Sequence, residues 1–196
     1  MKIIETERLL LRTWEERDIE PMTRIDQDPR VCEFLPGIGS RSATEAAIRR
    51  FMQHYHDHGF SLYAVELKST FSIDPSVHKS TVGTAGNEFI GYIGLLIPSF
   101  EAHFTPAVEI GWRLASRHWG QGYATEGAKA VLKYGFDELG LREIVSFTVP
   151  ANTRSIRVME KIGMRRDLSG DFRHPRLSLD HPLSLHLLYR IQNDKS

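Results

Sequence analysis

Residues 107–124 read AVEIGWRLASRHWGQGYA, and the parsing of this stretch decides the fold. Val108, Ile110, Trp112 and Leu114 alternate with Glu109, Gly111 and Arg113, the period of a half-buried strand. Arg117, Gly120 and Gln121-Gly122 follow. Ala124, Ala128, Val131, Leu132, Phe136 and Leu139 then recur at helical spacing until Gly140. A strand that turns through glycines into a helix aims unpaired backbone N–H groups and the positive end of the helix dipole at one point. That arrangement suits a phosphate.

Three readings compete for the turn itself. A nucleoside-triphosphate loop needs Gly-Lys-Ser/Thr, whereas Gly122 is followed by Tyr123-Ala124, so that reading fails. A dinucleotide turn wants a third Gly or Ala where Thr125 stands, and an acid at the far end of the next strand, where Glu143 stands at the near end. A plain tight turn needing positive φ stays open.

Outward toward the N-terminus, Glu88–Ile97 reads as a strand and Lys68–Asn87, rich in Ser, Thr and Gly, as a long mobile loop. Before it, Ser61–Leu67 is a strand. A helix capped by Ser42 or Thr44 carries Ala47, Ile48, Phe51, Met52 and Tyr55 and stops at Gly59. Asp18 is placed to cap a helix running to about Asp28, and Arg8–Thr13 is the first strand. Toward the C-terminus, Glu143–Val149 is a strand, Asn152 begins a short helix ending at Gly163, and Met164–Asp167 and Ser184–Ile191 are strands around a polar stretch. The order β-α-α-β-β-β-α-β-α-β-β describes one domain over residues 1–196, with 68–87 as a loop insertion. It implies a mixed, mostly antiparallel α/β (α+β) sheet of about seven strands flanked by helices.

Bulk properties narrow the function classes. The 196 residues hold 25 Lys+Arg against 25 Asp+Glu, a balance that argues against nucleic acid or an anionic membrane as main partner. Cys32 is the one cysteine, so no intramolecular disulfide forms, and no activating motif neighbours it. Glu5, Glu7, Arg8 and Arg12 break the N-terminal apolar run, leaving no signal-peptide core, and a cytoplasmic location is expected. His54-x-His56-x-His58 has the look of a metal cluster, but on a helix only His54 and His58 share a face, and no metal is expected there.

Arg117-x-x-Gly120-x-Gly122-Tyr123-Ala124, preceded by Val108-Glu109-Ile110-Gly111-Trp112, resembles the acyl-CoA pyrophosphate loop of the GNAT (GCN5-related N-acetyltransferase) superfamily. Asn152-x-x-Ser155, Glu160-Lys161-x-Gly163-Met164 and the opening Thr6-Glu7-Arg8-Leu9-x-Leu11-Arg12 extend the likeness over nearly the whole chain. Together they resemble the branch that contains the ribosomal-protein N-terminal acetyltransferases. The resemblance implies the GNAT fold, with a sheet splayed after the strand ending at Leu114, and direct acetyl transfer from acetyl-CoA to a primary amine, either a protein N-terminus or a small molecule. A homodimer is compatible with it. An acyl-CoA-binding domain without catalysis, acting as sensor or interaction module, is the alternative.

The same resemblance assigns roles. Trp112, Arg113 and Leu114 would pair with the pantetheine arm beside a bulge, and a backbone N–H near Leu114 would face the thioester oxygen. His118, Trp119, Gly120, Gln121, Gly122, Tyr123 and Ala124 would hold the pyrophosphate, with Arg117 as a nearby charge. Glu109 is the candidate base, though a solvated strand residue would look the same. Asn152 and Ser155 would contact the cofactor arm, with Ser155 a candidate acid for the leaving thiolate, while Asn152 also reads as a plain N-cap. No tyrosine stands in or just after that helix, and Tyr189 lies in the last strand. Arg157 and Lys161 either reach the ribose phosphate or are surface charges. Glu33, Phe34, Asp171 and His174 lie in regions that flank the acceptor channel in the family, or are ordinary loop residues.

Overall fold

The computed structural model describes residues 1–71 and 86–193, so most of the 68–87 stretch read as a loop lies outside the described residues. Eight strands form one sheet: β1 (Lys2–Glu5), β2 (Leu9–Arg12), β3 (Leu62–Leu67), β4 (Glu88–Leu96), β5 (Glu109–Leu114), β6 (Glu143–Thr148), β7 (Arg165–Arg173) and β8 (Leu185–Gln192). Their spatial order is β1-β2-β3-β4-β5-β6-β8-β7. Neighbours are antiparallel except β5 and β6, which run parallel and meet in register only at Glu109↔Val145. The helices are α1 (Ile19–Asp26), α2 (Pro29–Cys32), α3 (Arg41–His58), α4 (Tyr123–Asp137) and α5 (Thr153–Lys161).

One face of the sheet carries α4. Gly127 makes the approach close enough that a Cβ there would stand 2.5 Å from Ile93 Cδ1, and Ile93 lies opposite Trp112. Ile110, Trp112 and Leu114 therefore face α4 and α5, while Glu109, Gly111 and Arg113 face α1–α3. Leu9, Leu11, Val65, Ile93, Leu95, Ile110, Val131 and Ile144 fill the main core between sheet and α4. Trp14, Met22, Ile25 and Ile48 form a second cluster under α1 and α3.

Several local expectations are corrected. Lys2–Glu5 is a further strand, so the sheet has eight strands, not about seven. Asp18 does not cap α1: its carboxylate takes both ends of the Arg12 guanidinium at 2.6 and 2.7 Å. Ser40, not Ser42 or Thr44, caps α3 by accepting from the Ala43 N–H, while Thr44 donates to Asp26. The bulge expected at Trp112–Leu114 is absent from β5, which pairs evenly with β4 from Gly91↔Leu114 to Leu96↔Glu109. The register shift lies one strand over, at Val65/Glu66 opposite β4. Asp171 is not in a loop, because β7 runs to Arg173. Both ring nitrogens of His54 are occupied, Nδ1 at the Phe60 carbonyl and Nε2 accepting from the Ile97 N–H, so this histidine ties α3 to the sheet.

Candidate active site

Beyond Glu109↔Val145 the strands β5 and β6 part. Ladder pairing with β4 uses alternate residues of β5, and the others turn their backbone groups to the fork. Val108 O accepts from Val145 N, Ile110 O from the Ser146 hydroxyl at 2.9 Å, and Leu114 O from Trp119 Nε1 at 2.8 Å. The Trp112 carbonyl and the Trp112 and Leu114 N–H groups face the fork with no strand partner among the described residues. These are backbone groups of the kind that pair with an extended amide-bearing chain.

A cleft of about 850 Å³ occupies the fork. Residues of both faces of β5 line it, so it passes through the sheet. On the α4–α5 side the wall includes His118, Trp119, Gly120, Gly122, Tyr123, Ala124, Asn152, Ser155, Arg157 and Lys161. Gly120 and Gly122 have φ of 77° and 85°, and Gly122 is the residue that starts α4. A side chain at either would be strained, which accounts for both glycines at the turn. Thr6 and Arg8 brace the start of this helix. The Thr6 hydroxyl and the Arg8 N–H and Nε all donate to Glu126, and Arg8 Nη1 donates to the Gln121 carbonyl. Burial raises the Glu126 carboxyl, but these bonds outweigh it and hold the carboxyl low. Asn152 accepts from Ser155 N at 3.2 Å and donates to Thr148 at 3.0 Å, which fixes the first turn of α5. The Ser155 hydroxyl has no bond to a described residue.

On the opposite face, Glu109 makes no hydrogen bond or ion pair with any described residue. Its carboxylate lies over Gly111, where a Cβ would come 3.9 Å from Oε1. Burial without compensation pushes its carboxyl up to about 8. The side chain keeps partial exposure because it opens on the cleft, yet protein surrounds it on its other sides. Arg113 is also in the wall, but its charge is matched by Asp26 at 2.6 Å, and its guanidinium lies 5.4 Å from the Tyr92 ring centre. Arg154, from α5, crosses the cleft mouth. It lies 4.6 Å from the Trp119 ring and 5.6 Å from the Phe34 ring, with Glu33 paired to it at 2.5 Å.

Four of the expected contacts are not in the cleft wall. Arg117 is held by Glu88, which also takes His118 Nε2 at 2.9 Å. Gln121 contributes its carbonyl to Arg8 and its amide to Arg117 O. Glu33 is exposed and spent on Arg154, and Asp171 is paired with Arg166 on the outer strand. Phe34 and His174 do line the cleft, as do Trp112, Arg113 and Leu114. Cys32 is buried and donates to the Asp26 carbonyl, which leaves it structural.

Comparison with known sequences decides the family. The sequence model described as "Acetyltransferase (GNAT) domain" matches residues 8–165. This chain belongs to the GNAT acetyltransferase family. It is 31% identical over 165 residues to the N-acetyltransferase YnaD of Bacillus subtilis (strain 168), covering 84% of this chain and 83% of that protein. Among solved structures it resembles a GNAT-family acetyltransferase from Bacillus anthracis at 29% identity and a TM-score of 0.71, over 96% of this chain and 97% of that one. The ribosomal L7/L12 α-N-protein acetyltransferase RimL, solved with coenzyme A, shares the fold at a TM-score of 0.72 and 16% identity, over 100% of each chain.

The acetyltransferase also places in its cleft residues that the sequence did not single out: Tyr92, Ser146, Arg154, Arg176 and His186. Arg154 stands between Asn152 and Ser155, so its position was readable from that motif. Tyr92, Ser146 and His186 arrive by sheet register and Arg176 by the connection between β7 and β8, which no local pattern carries.

Proposed function

We propose that this chain is an acetyl-CoA-dependent N-acetyltransferase that moves the acetyl group directly to a primary amine within a ternary complex. The observation that carries the reading is the fork between β5 and β6, with unpartnered backbone on its edge and an unpaired Glu109 beside it. Acetyl-CoA supplies the activated acyl group as a thioester. Trp112 binds its amide-bearing arm through its backbone, the Gly120–Ala124 turn takes the pyrophosphate, and Arg157 and Lys161 supply cationic charge nearby.

An ammonium has no lone pair, so the acceptor first gives a proton to Glu109, directly or through water. The freed nitrogen attacks the thioester carbon and forms the C–N bond while the carbonyl oxygen takes the electron pair. The Leu114 N–H is the candidate donor to that oxyanion. The nitrogen would give its second proton to water, the C–S bond would break, and the thiolate would take a proton from the candidate donor Ser155, whose hydroxyl water restores. The side chains of Arg117, Gln121, Glu33 and Asp171 take no part in this scheme, being bonded within the fold.

Calorimetry with acetyl-CoA, followed by thiol release with peptides, polyamines and aminoglycosides, tests the reading. Binding with turnover on at least one amine supports it, and Gly120→Val or Gly122→Val is expected to weaken binding. Tight binding without turnover on any amine favours the sensor reading instead.

A further inference from the structure

The charges in the cleft are lopsided. Glu109 is the only carboxylate among the described residues that line it. Of the lining cations, Arg30, Arg113 and Arg154 are matched by Asp28, Asp26 and Glu33. Arg157, Lys161 and Arg176 have no acidic partner among the described residues. Arg157 and Lys161 belong to α5, on the side where the cofactor is placed. Arg176 belongs elsewhere. Its Nη2 donates to the Ser99 carbonyl and hydroxyl at 2.8 and 2.6 Å, which leaves its Nε and Nη1 donors unused. Ser99 stands three residues beyond Leu96, and Leu96 pairs with Glu109. That separation spans at most about 11 Å of extended chain.

An aromatic group lines the same cleft as these two charges. Glu109 pairs with Val145, so it shares a sheet face with Val145 and Phe147. Phe147 lies opposite Leu188 in the β6–β8 ladder and His186 opposite Phe172 in the β7–β8 ladder. The His174 and His186 rings are 5.2 Å apart, and Phe147 is 5.9 Å from His186. Burial lowers both histidines, so near neutrality they present uncharged rings.

We infer that the acceptor is an amine that also bears an anionic group, carboxylate or phosphate, on an aromatic or otherwise apolar body: the amine meets Glu109, the body lies on Phe147, His174 and His186, and the anion meets Arg176. This rests on the acetyltransferase reading above and deepens it. A polyamine or aminoglycoside would bring several positive charges to an acceptor side that offers one carboxylate, Glu109, and an unmatched cation, Arg176. Arg176 is exposed, but a guanidinium tied to Ser99 loses less freedom on meeting an anion than an untethered one.

The test is thiol release from acetyl-CoA by the full chain with matched acceptors: phenylalanine against phenethylamine, tyramine O-phosphate against tyramine, and spermidine as the polycation. In at least one pair the anionic member is expected to show a kcat/KM about tenfold or more above its partner. Whichever pair responds tells carboxylate from phosphate. Arg176→Met is expected to shrink that ratio toward one, and Ser99→Ala, which removes one anchor and serves if the first variant misfolds, to shrink it less. Phenethylamine, tyramine or spermidine used as well as the anionic acceptors, or ratios untouched by both variants, would overturn the inference and leave the transferase reading standing. So would acetyl-CoA binding without turnover on any of the five amines while another amine is acetylated. Failure to bind acetyl-CoA at all would overturn the transferase reading itself.

Discussion

Glu66 and Glu109 sit on β3 and β5, the two strands that flank β4, and they differ in what surrounds them. Glu66 is fully buried and accepts from Arg12 at 2.8 Å and from Asn87 at 3.3 Å, while Arg12 also grips Asp18. Its charge is compensated within the fold. Glu109 has no such partner among the described residues, and burial pushes its carboxyl up to about 8. A fold that can satisfy one buried carboxylate so fully has left the other bare beside an open fork. Bare buried acids are costly, and sites of chemistry are where such costs are retained.

Breaking the two acids separately should give opposite signatures. Glu109→Gln is expected to cut kcat/KM for acetyl transfer by about 10²–10⁴-fold while leaving the thermal midpoint unchanged or higher; steady-state thiol release and thermal melts check both. Arg12→Met does the reverse. It strands Asp18 and Glu66 in the interior and is expected to cost about 3–5 kcal/mol of folding stability, read from urea denaturation.

A smaller effect sharpens the role of the strand between them. Gly91 holds φ of 134°, and a Cβ there would stand 2.1 Å from the Arg113 carbonyl oxygen. Gly91→Ala is therefore expected to destabilise by roughly 2–3 kcal/mol, again by denaturant titration. Asn152→Ala removes the cap of α5 and should cost about 1 kcal/mol, with a larger fall in acetyl-CoA affinity if Asn152 also meets the cofactor; calorimetry separates the two.

The turn at 117–124 was legible because glycines at positive φ leave a local mark, and so was the strand period around Glu109. Partnership was not. Glu33 and Arg117 look like free charges in sequence, yet Arg154 and Glu88 take them up from distant elements. Asp171 reads as a loop residue because β7, RRDLSGDFR, lacks the apolar alternation of an inner strand; it is an edge strand, paired only with β8. β1 was missed for a related reason, since KIIE is too short to show a period. Phe147 and His186 reach the cleft by sheet register and His174 and Arg176 by the β7–β8 connection, so nothing local announced that half of the cleft.

The proton on Glu109 also links stability to pH. The folded chain holds it to about pH 8, whereas the unfolded chain releases it near the ordinary value of 4.5. The contribution is therefore full below pH 4.5, declines as pH rises toward 8, and is level above. In catalysis the order is inverted, because only the ionised carboxylate accepts a proton. The most direct measurement is thus the pH profile of kcat/KM for thiol release from acetyl-CoA, in the native chain and in Glu109→Gln. A rising limb with a midpoint near 8 in the native chain, lost in the variant, is the predicted result. A variant that keeps both the limb and the native rate would contradict the assignment of Glu109 as the base.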